Sequence, residues 1–133
     1  MGCIKTILSA LVLSTTSIPM GHSVLSDVPV HFDALNFFAV CAGRLSAEME
    51  FYWIFDGATA ERIEVERASV LEILDAMISP NQVSEVLSLR VEAKMAQAAL
   101  LTQANFNPKQ RMARHARTLA VKNVESCRTR LLS

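Results

Sequence analysis

Glycine and proline are scarce in this chain, four of each among 133 residues, and no stretch alternates apolar and polar residues as a half-buried strand does. Together these absences exclude a turn-rich all-β fold. Catalytic and metal-binding signatures are missing too. There is no Gly-x-Ser-x-Gly, glycine-rich phosphate loop, His-Glu-x-x-His or Cys-x-x-Cys, so the local patterns that position nucleophiles, phosphates or zinc are absent. A di-iron bundle needs paired Glu-x-x-His motifs on inward faces, and a covalent haem needs Cys-x-x-Cys-His; neither pattern occurs. The sequence therefore implies no cofactor and no catalytic residue. Length argues against a spanning helix: the only long apolar run, residues 6–18, is interrupted by serines and threonines and falls short of the roughly 20 residues a bilayer requires.

That same run has a different use. It follows Lys5 and precedes Gly21-His22-Ser23, giving the charged start, apolar stretch and small residues of a secretory signal. The reading places a signal peptide at 1–23, cut after Ser23, an entry segment at 24–32 and a helical domain at 33–133. The protein is then periplasmic or secreted, and touches a membrane only transiently through its signal peptide. Two other readings compete. One is an uncleaved anchor; the other is an acylated cytosolic protein, since Met1-Gly2-Cys3-Ile4-Lys5-Thr6 also fits N-myristoylation. Once Cys3 is removed, Cys41 and Cys127 are left, and two cysteines in an oxidising compartment read as one bridge.

What the sequence has in quantity is helical periodicity. Four helices are expected, at roughly 33–55, 60–78, 80–106 and 108–131. Asp56-Gly57 closes the first, with glycine suited to the left-handed position beyond a helix end. Ser79-Pro80-Asn81-Gln82 opens the third as serine cap, first-turn proline and third-position glutamine, and Asn107-Pro108-Lys109-Gln110 repeats the pattern for the fourth. In the first helix Leu35, Phe38, Cys41, Ala42, Leu45, Met49 and Tyr52 recur at three- and four-residue steps. Met112, Ala116, Leu119, Ala120, Val124, Cys127 and Leu131 do the same in the fourth. The middle helices offer Ile63, Val70, Leu71, Leu74 and Met77, then Val83, Leu87, Val91, Ala98 and Leu101. Short joints between long helices favour antiparallel neighbours, so the expected fold is an all-α, antiparallel up-down four-helix bundle closed by one disulfide. In that topology Cys41 and Cys127 lie at matching levels on apolar arcs.

Charge divides the chain. Residues 24–92 carry 12 acids and 4 bases, net −8; residues 93–133 carry 8 bases and 1 acid, net +7. A basic arm of this kind can grip nucleic acid or anionic lipid. No aromatic residue interleaves the arginines for base stacking, so no nucleic-acid partner is expected. A basic last helix held against acidic neighbours is the expected arrangement.

Seven of the eight aromatic residues fall within 32–55. Phe38, Tyr52 and Trp53 suit the core stripe. Phe37, Phe51 and Phe55 share an adjacent arc with Arg44 and Glu48, an i,i+4 pair of opposite charge. Either this helix is buried on two sides, or the arc is an interaction surface for a protein partner or a second copy. Gly43 and Ala47, four apart, would let a backbone approach closely. A haem held between Met49 and His115 is disfavoured, because Met49 faces the core and His115 falls on the flank of the fourth helix. For an enzyme, Arg44, Glu48 and His115 are the only polar candidates. The most economical reading is a non-enzymatic interaction module of the bacterial envelope; the alternative is a ligand or cofactor carrier using the apolar bundle interior. Intact mass of the exported protein should correspond to a chain beginning at Val24; the mass of the full chain would instead mark a retained anchor, and added myristate would place the protein in the cytosol.

Overall fold

The computed structural model describes residues 30–131, with side chains from Ala34 onward; the signal peptide, its cleavage site and most of the entry segment lie outside the described residues. The fold is all-α. Helix α1 runs Val30–Phe55, α2 Gly57–Met77, α3 Val83–Phe106 and α4 Gln110–Leu131, with a single 3-10 turn at Pro80–Gln82 between α2 and α3. The first helix thus begins three residues before the expected boundary.

The first joint is shorter than the sequence suggests, and the other two are longer by a few residues. Asp56 alone separates α1 from α2. Its carboxylate accepts from the Thr59 amide at 3.1 Å and from the Thr59 hydroxyl at 2.7 Å, so it is the N-cap of α2. Gly57 is consequently the first residue of α2, and no glycine among the described residues takes a positive φ. The expected left-handed stop is replaced by a cap. Before α3, the Gln82 side chain accepts from the Ser79 amide at 3.2 Å, and Pro80 starts a tight turn that becomes α-helical at Val83. Before α4, the Asn107 side chain accepts from the Lys109 amide at 2.9 Å.

Helix α1 is the central element. It packs along both α3 and α2, while α4 packs along α3 and meets α1 over a shorter stretch. From Cys41 to Glu48 every residue except Arg44 is buried, as expected of a helix enclosed by several neighbours. Matched contacts give the directions. Between α1 and α4, Phe37 meets Arg130, Cys41 bonds Cys127 and Arg44 reaches the carbonyl of Asn123, so the two run in opposite senses. Between α1 and α3, Gly43 lies against Arg90 and Ala93, Glu48 meets Gln97 and Phe55 meets Phe106, so these run in the same sense. A square bundle would hold its first and third helices apart across the diagonal. Here they are in direct contact.

Gly43 makes that contact possible. A methyl group there would overlap the Arg90 carbonyl oxygen and lie 3.0 Å from both Ala93 Cβ and Lys94 N. The Gly43–Ala47 approach read from the sequence is therefore occupied by the protein's own α3. The same constraint corrects the reading of α3. Val83, Leu87 and Val91 are exposed, while Val86, Gln97, Leu101 and Ala104 are buried. With half-buried Arg90 and Ala93, these form a stripe at three- and four-residue steps whose small members let two backbones come close. Three further core assignments fail: Met112 and Leu119 are exposed on α4, and Trp53 is 60% exposed on the last turn of α1. The cores of α1, α2 and α4 otherwise lie where expected, around Leu35, Leu45, Ile63, Val70, Leu74 and Val124.

The Cys41–Cys127 disulfide, with Cα atoms 5.6 Å apart, joins residues 86 positions apart in the chain. Closing so long a loop restricts the unfolded chain and contributes about 4–5 kcal/mol on the chain-entropy argument. Gly43→Ala provides a separate test of packing. Helix propensity alone favours alanine by about 1 kcal/mol, but overpacking typically costs about 1–3 kcal/mol, and the atom it strikes is backbone. The variant should melt below the parent in thermal denaturation; a rise in melting temperature would show that the α1–α3 contact is loose.

Candidate functional site

A cleft of about 850 Å³ opens between the four helices toward the C-terminal ends of α1 and α3, within the roughly 300–1,000 Å³ range of small-molecule sites. Its floor is the α1–α3 contact, with Phe51 and Phe55 on one side and Leu101 and Ala104 on the other. Ile63 of α2 and Val121 and Val124 of α4 face them from the walls. At 1.5 Å per residue the floor runs roughly 10 Å from Glu48 to Phe55.

The inner end is polar. Arg128 of α4 donates to Glu66 of α2 at 2.9 Å and to Glu125 at 2.9 Å, which ties the walls together there. Beside this clasp lies Glu48, 8% exposed, accepting from Gln97 Nε2 at 3.0 Å. Gln97 also donates to the Ala120 carbonyl at 3.0 Å, and Asn123 Nδ2 donates to Gln97 Oε1 at 3.2 Å. One buried amide thus joins α1, α3 and α4, an arrangement that satisfies polar groups removed from water. Burial raises the Glu48 carboxyl above its ordinary value, outweighing the Gln97 hydrogen bond and the Arg128 charge.

The outer end is aromatic. Phe51 stacks obliquely on Phe55 at 4.8 Å, and Phe55 lies 6.5 Å from Phe106 of α3. Phe51 is half-buried and packs against Ala47, Leu101 and Ala120, whereas Phe55 and Phe106 are 58% and 64% exposed.

This geometry divides the arc read from the sequence. Glu48, Phe51 and Phe55 line the cleft. Arg44 does not pair with Glu48; it donates to the Asn123 carbonyl at 3.4 Å and borders a shallower hollow of about 270 Å³ between α1, α3 and α4. Burial lowers its guanidinium from the ordinary value. Phe37 lies toward the far end of α1, edge-on to Phe38 at 5.5 Å with the Arg130 guanidinium 4.8 Å over its ring. His115 is exposed on α4 and borders neither hollow, so Arg44, Glu48 and His115 do not meet. Met49 packs on the core, well separated in environment from His115. Among the described residues no three His, Cys, Asp or Glu side chains are grouped as metal ligands, and no helix is long and apolar enough to cross a membrane. Sequence reasoning missed Gln97, although a lone amide within Ala96-Gln97-Ala98-Ala99-Leu100 was its signal, and missed Phe106, which sits outside the aromatic-rich segment.

Comparison with known proteins gives no match: no family model, curated protein or solved structure is similar to this chain.

Glu48 supplies a pH test. Its folded carboxyl holds a proton more tightly than the unfolded one, so ionising it costs stability. The cost is absent in acid, below the ordinary 4.5, and grows as pH rises through the raised folded value. Glu48→Gln keeps an acceptor for Gln97 and cannot ionise. It should melt above the parent at neutral pH and level with it in acid; equal curves at both would mean that the carboxylate is fully compensated.

Proposed function

We propose that this protein is a non-enzymatic interaction module, exported to the periplasm or beyond the cell, whose binding element is the cleft and its aromatic mouth. The observation that carries the reading is the exposure of Phe55 and Phe106 beside a concave apolar floor. Large apolar side chains left in water around a cleft are a common mark of binding surfaces. The Cys41–Cys127 bridge supports an oxidising compartment.

A partner does not reach α1 along the Gly43 side, which α3 covers. The surface proposed from the sequence thereby contracts to Phe51, Phe55 and Glu48, with Arg44 and Phe37 outside it. The carrier reading draws on the same cleft: its volume suits a small apolar ligand as well as a protein side chain.

The dye 1-anilinonaphthalene-8-sulfonate, which brightens in apolar pockets, serves as probe. The parent protein should enhance its emission, and Phe55→Ser with Phe106→Ser should remove most of that enhancement. The melting temperature should barely move, since exposed substitutions usually stay within about 0.5 kcal/mol. Val83→Ser with Leu87→Ser, exposed apolar residues away from the cleft, should leave the enhancement intact. Emission that ignores the mouth variant, or vanishes equally with the control, would refute the site.

A further inference from the structure

The end of the molecule that carries the cleft mouth also carries charge. Helices α1 and α3 run in the same sense, so the last turn of α1, the end of α3 and the start of α4 lie together. Four large apolar side chains are exposed there: Trp53 at 60%, Ile54 at 76%, Phe55 at 58% and Phe106 at 64%. Three residues beyond Phe106 begins a series of cations, Lys109, Arg111 and Arg114, all exposed. Between Glu92 and Glu125 the sequence holds no acid at all.

The sequence led to the expectation that acidic neighbours neutralise the basic helix. The structure meets that expectation only near the other end, where Arg128 pairs with Glu66 and Glu125. Among the described residues no carboxylate lies within ion-pairing distance of Lys109, Arg111 or Arg114. The acids that share this end are Asp56 and Glu61 of the α1–α2 side, with Arg62 beside them, and Glu50 of α1, which pairs with Lys94 of α3. Its balance therefore stays positive.

Exposed tryptophan, isoleucine and phenylalanine next to unpaired lysine and arginine is the chemistry of a surface that meets anionic lipid. The aromatic side chains settle at the headgroup boundary, and the cations are drawn to the negative surface. We propose that this end of the bundle docks on an anionic lipid surface, inserting Trp53, Ile54 and Phe55 while Lys109, Arg111 and Arg114 face the headgroups. This is peripheral attachment by an exposed tip, and of its inserted and charged residues Phe55 alone also lines the cleft: neither Trp53, Ile54, Lys109, Arg111 nor Arg114 borders that hollow.

Trp53 is the only tryptophan in the chain, so its emission reports on the tip and on nothing attached elsewhere. The test uses the protein recovered from its own cell, mixed with vesicles of phosphatidylcholine containing phosphatidylglycerol or of phosphatidylcholine alone. Phosphatidylglycerol vesicles should shift Trp53 emission to shorter wavelength, and added salt should reverse the shift. Arg111→Glu with Arg114→Glu should weaken partition at least tenfold at low ionic strength. Arg111→Gln with Arg114→Gln, a milder pair, should weaken it less, and Ile54→Ser should reduce the shift with charge unchanged. Circular dichroism of each variant checks that the bundle is intact. Unchanged Trp53 emission with phosphatidylglycerol vesicles would overturn the proposal and leave the patch to an acidic protein or a nucleic acid. Equal binding to both vesicle types, or binding indifferent to the arginine variants, would overturn it as well.

Discussion

The approach of α1 to α3 at Gly43 governs the rest of the architecture. Because a glycine faces the backbone of Arg90 and Ala93, the two helices touch along their length in the same sense. With α1 and α3 joined, α2 and α4 are left to flank them. On the side where these flanking helices face one another, the space between them becomes the cleft. The buried amide of Gln97 belongs to the same constraint: it sits where α1, α3 and α4 converge and supplies hydrogen bonds that close packing would otherwise deny to Glu48, Ala120 and Asn123.

Helix number, the three joints and the disulfide were legible in the sequence because each rests on local or patterned chemistry. Apolar residues at three- and four-residue steps specify the inward faces of α1, α2 and most of α4. The serine, asparagine and proline signals at 79–80 and 107–108 locate the breaks. The cysteines match in level because helices with short joints must turn back. Boundaries moved by a few residues where side-chain capping substituted for a loop, as at Asp56.

The inward face of α3 was not legible, for a definite reason. Periodicity counts apolar residues, and α3 turns Arg90, Ala93 and Gln97 toward α1 while leaving Val83, Leu87 and Val91 outside. Close packing selects small or hydrogen-bonded side chains, which a hydrophobicity pattern undervalues. The candidate site suffered the same way. Phe51, Phe55 and Glu48 were found because they share an arc of one helix, but Phe106, Gln97 and the Glu66–Arg128 clasp lie on other helices. Their relation to α1 exists only after folding. Equally, Phe37 and Arg44 share that arc in projection yet face different surroundings along the helix axis.

The matched pairs Phe37–Arg130 and Cys41–Cys127 carry a consequence for how the molecule is presented. They bring the first turns of α1 and the last turns of α4 to a common pole, and the covalent ring between the cysteines keeps them there. The aromatic mouth occupies the opposite pole. The described helices therefore begin and end at the pole opposite the cleft mouth. A rigid support fixed to the first turns of α1 or the last turns of α4 would meet the pole that the disulfide holds together and leave the aromatic mouth facing away from it.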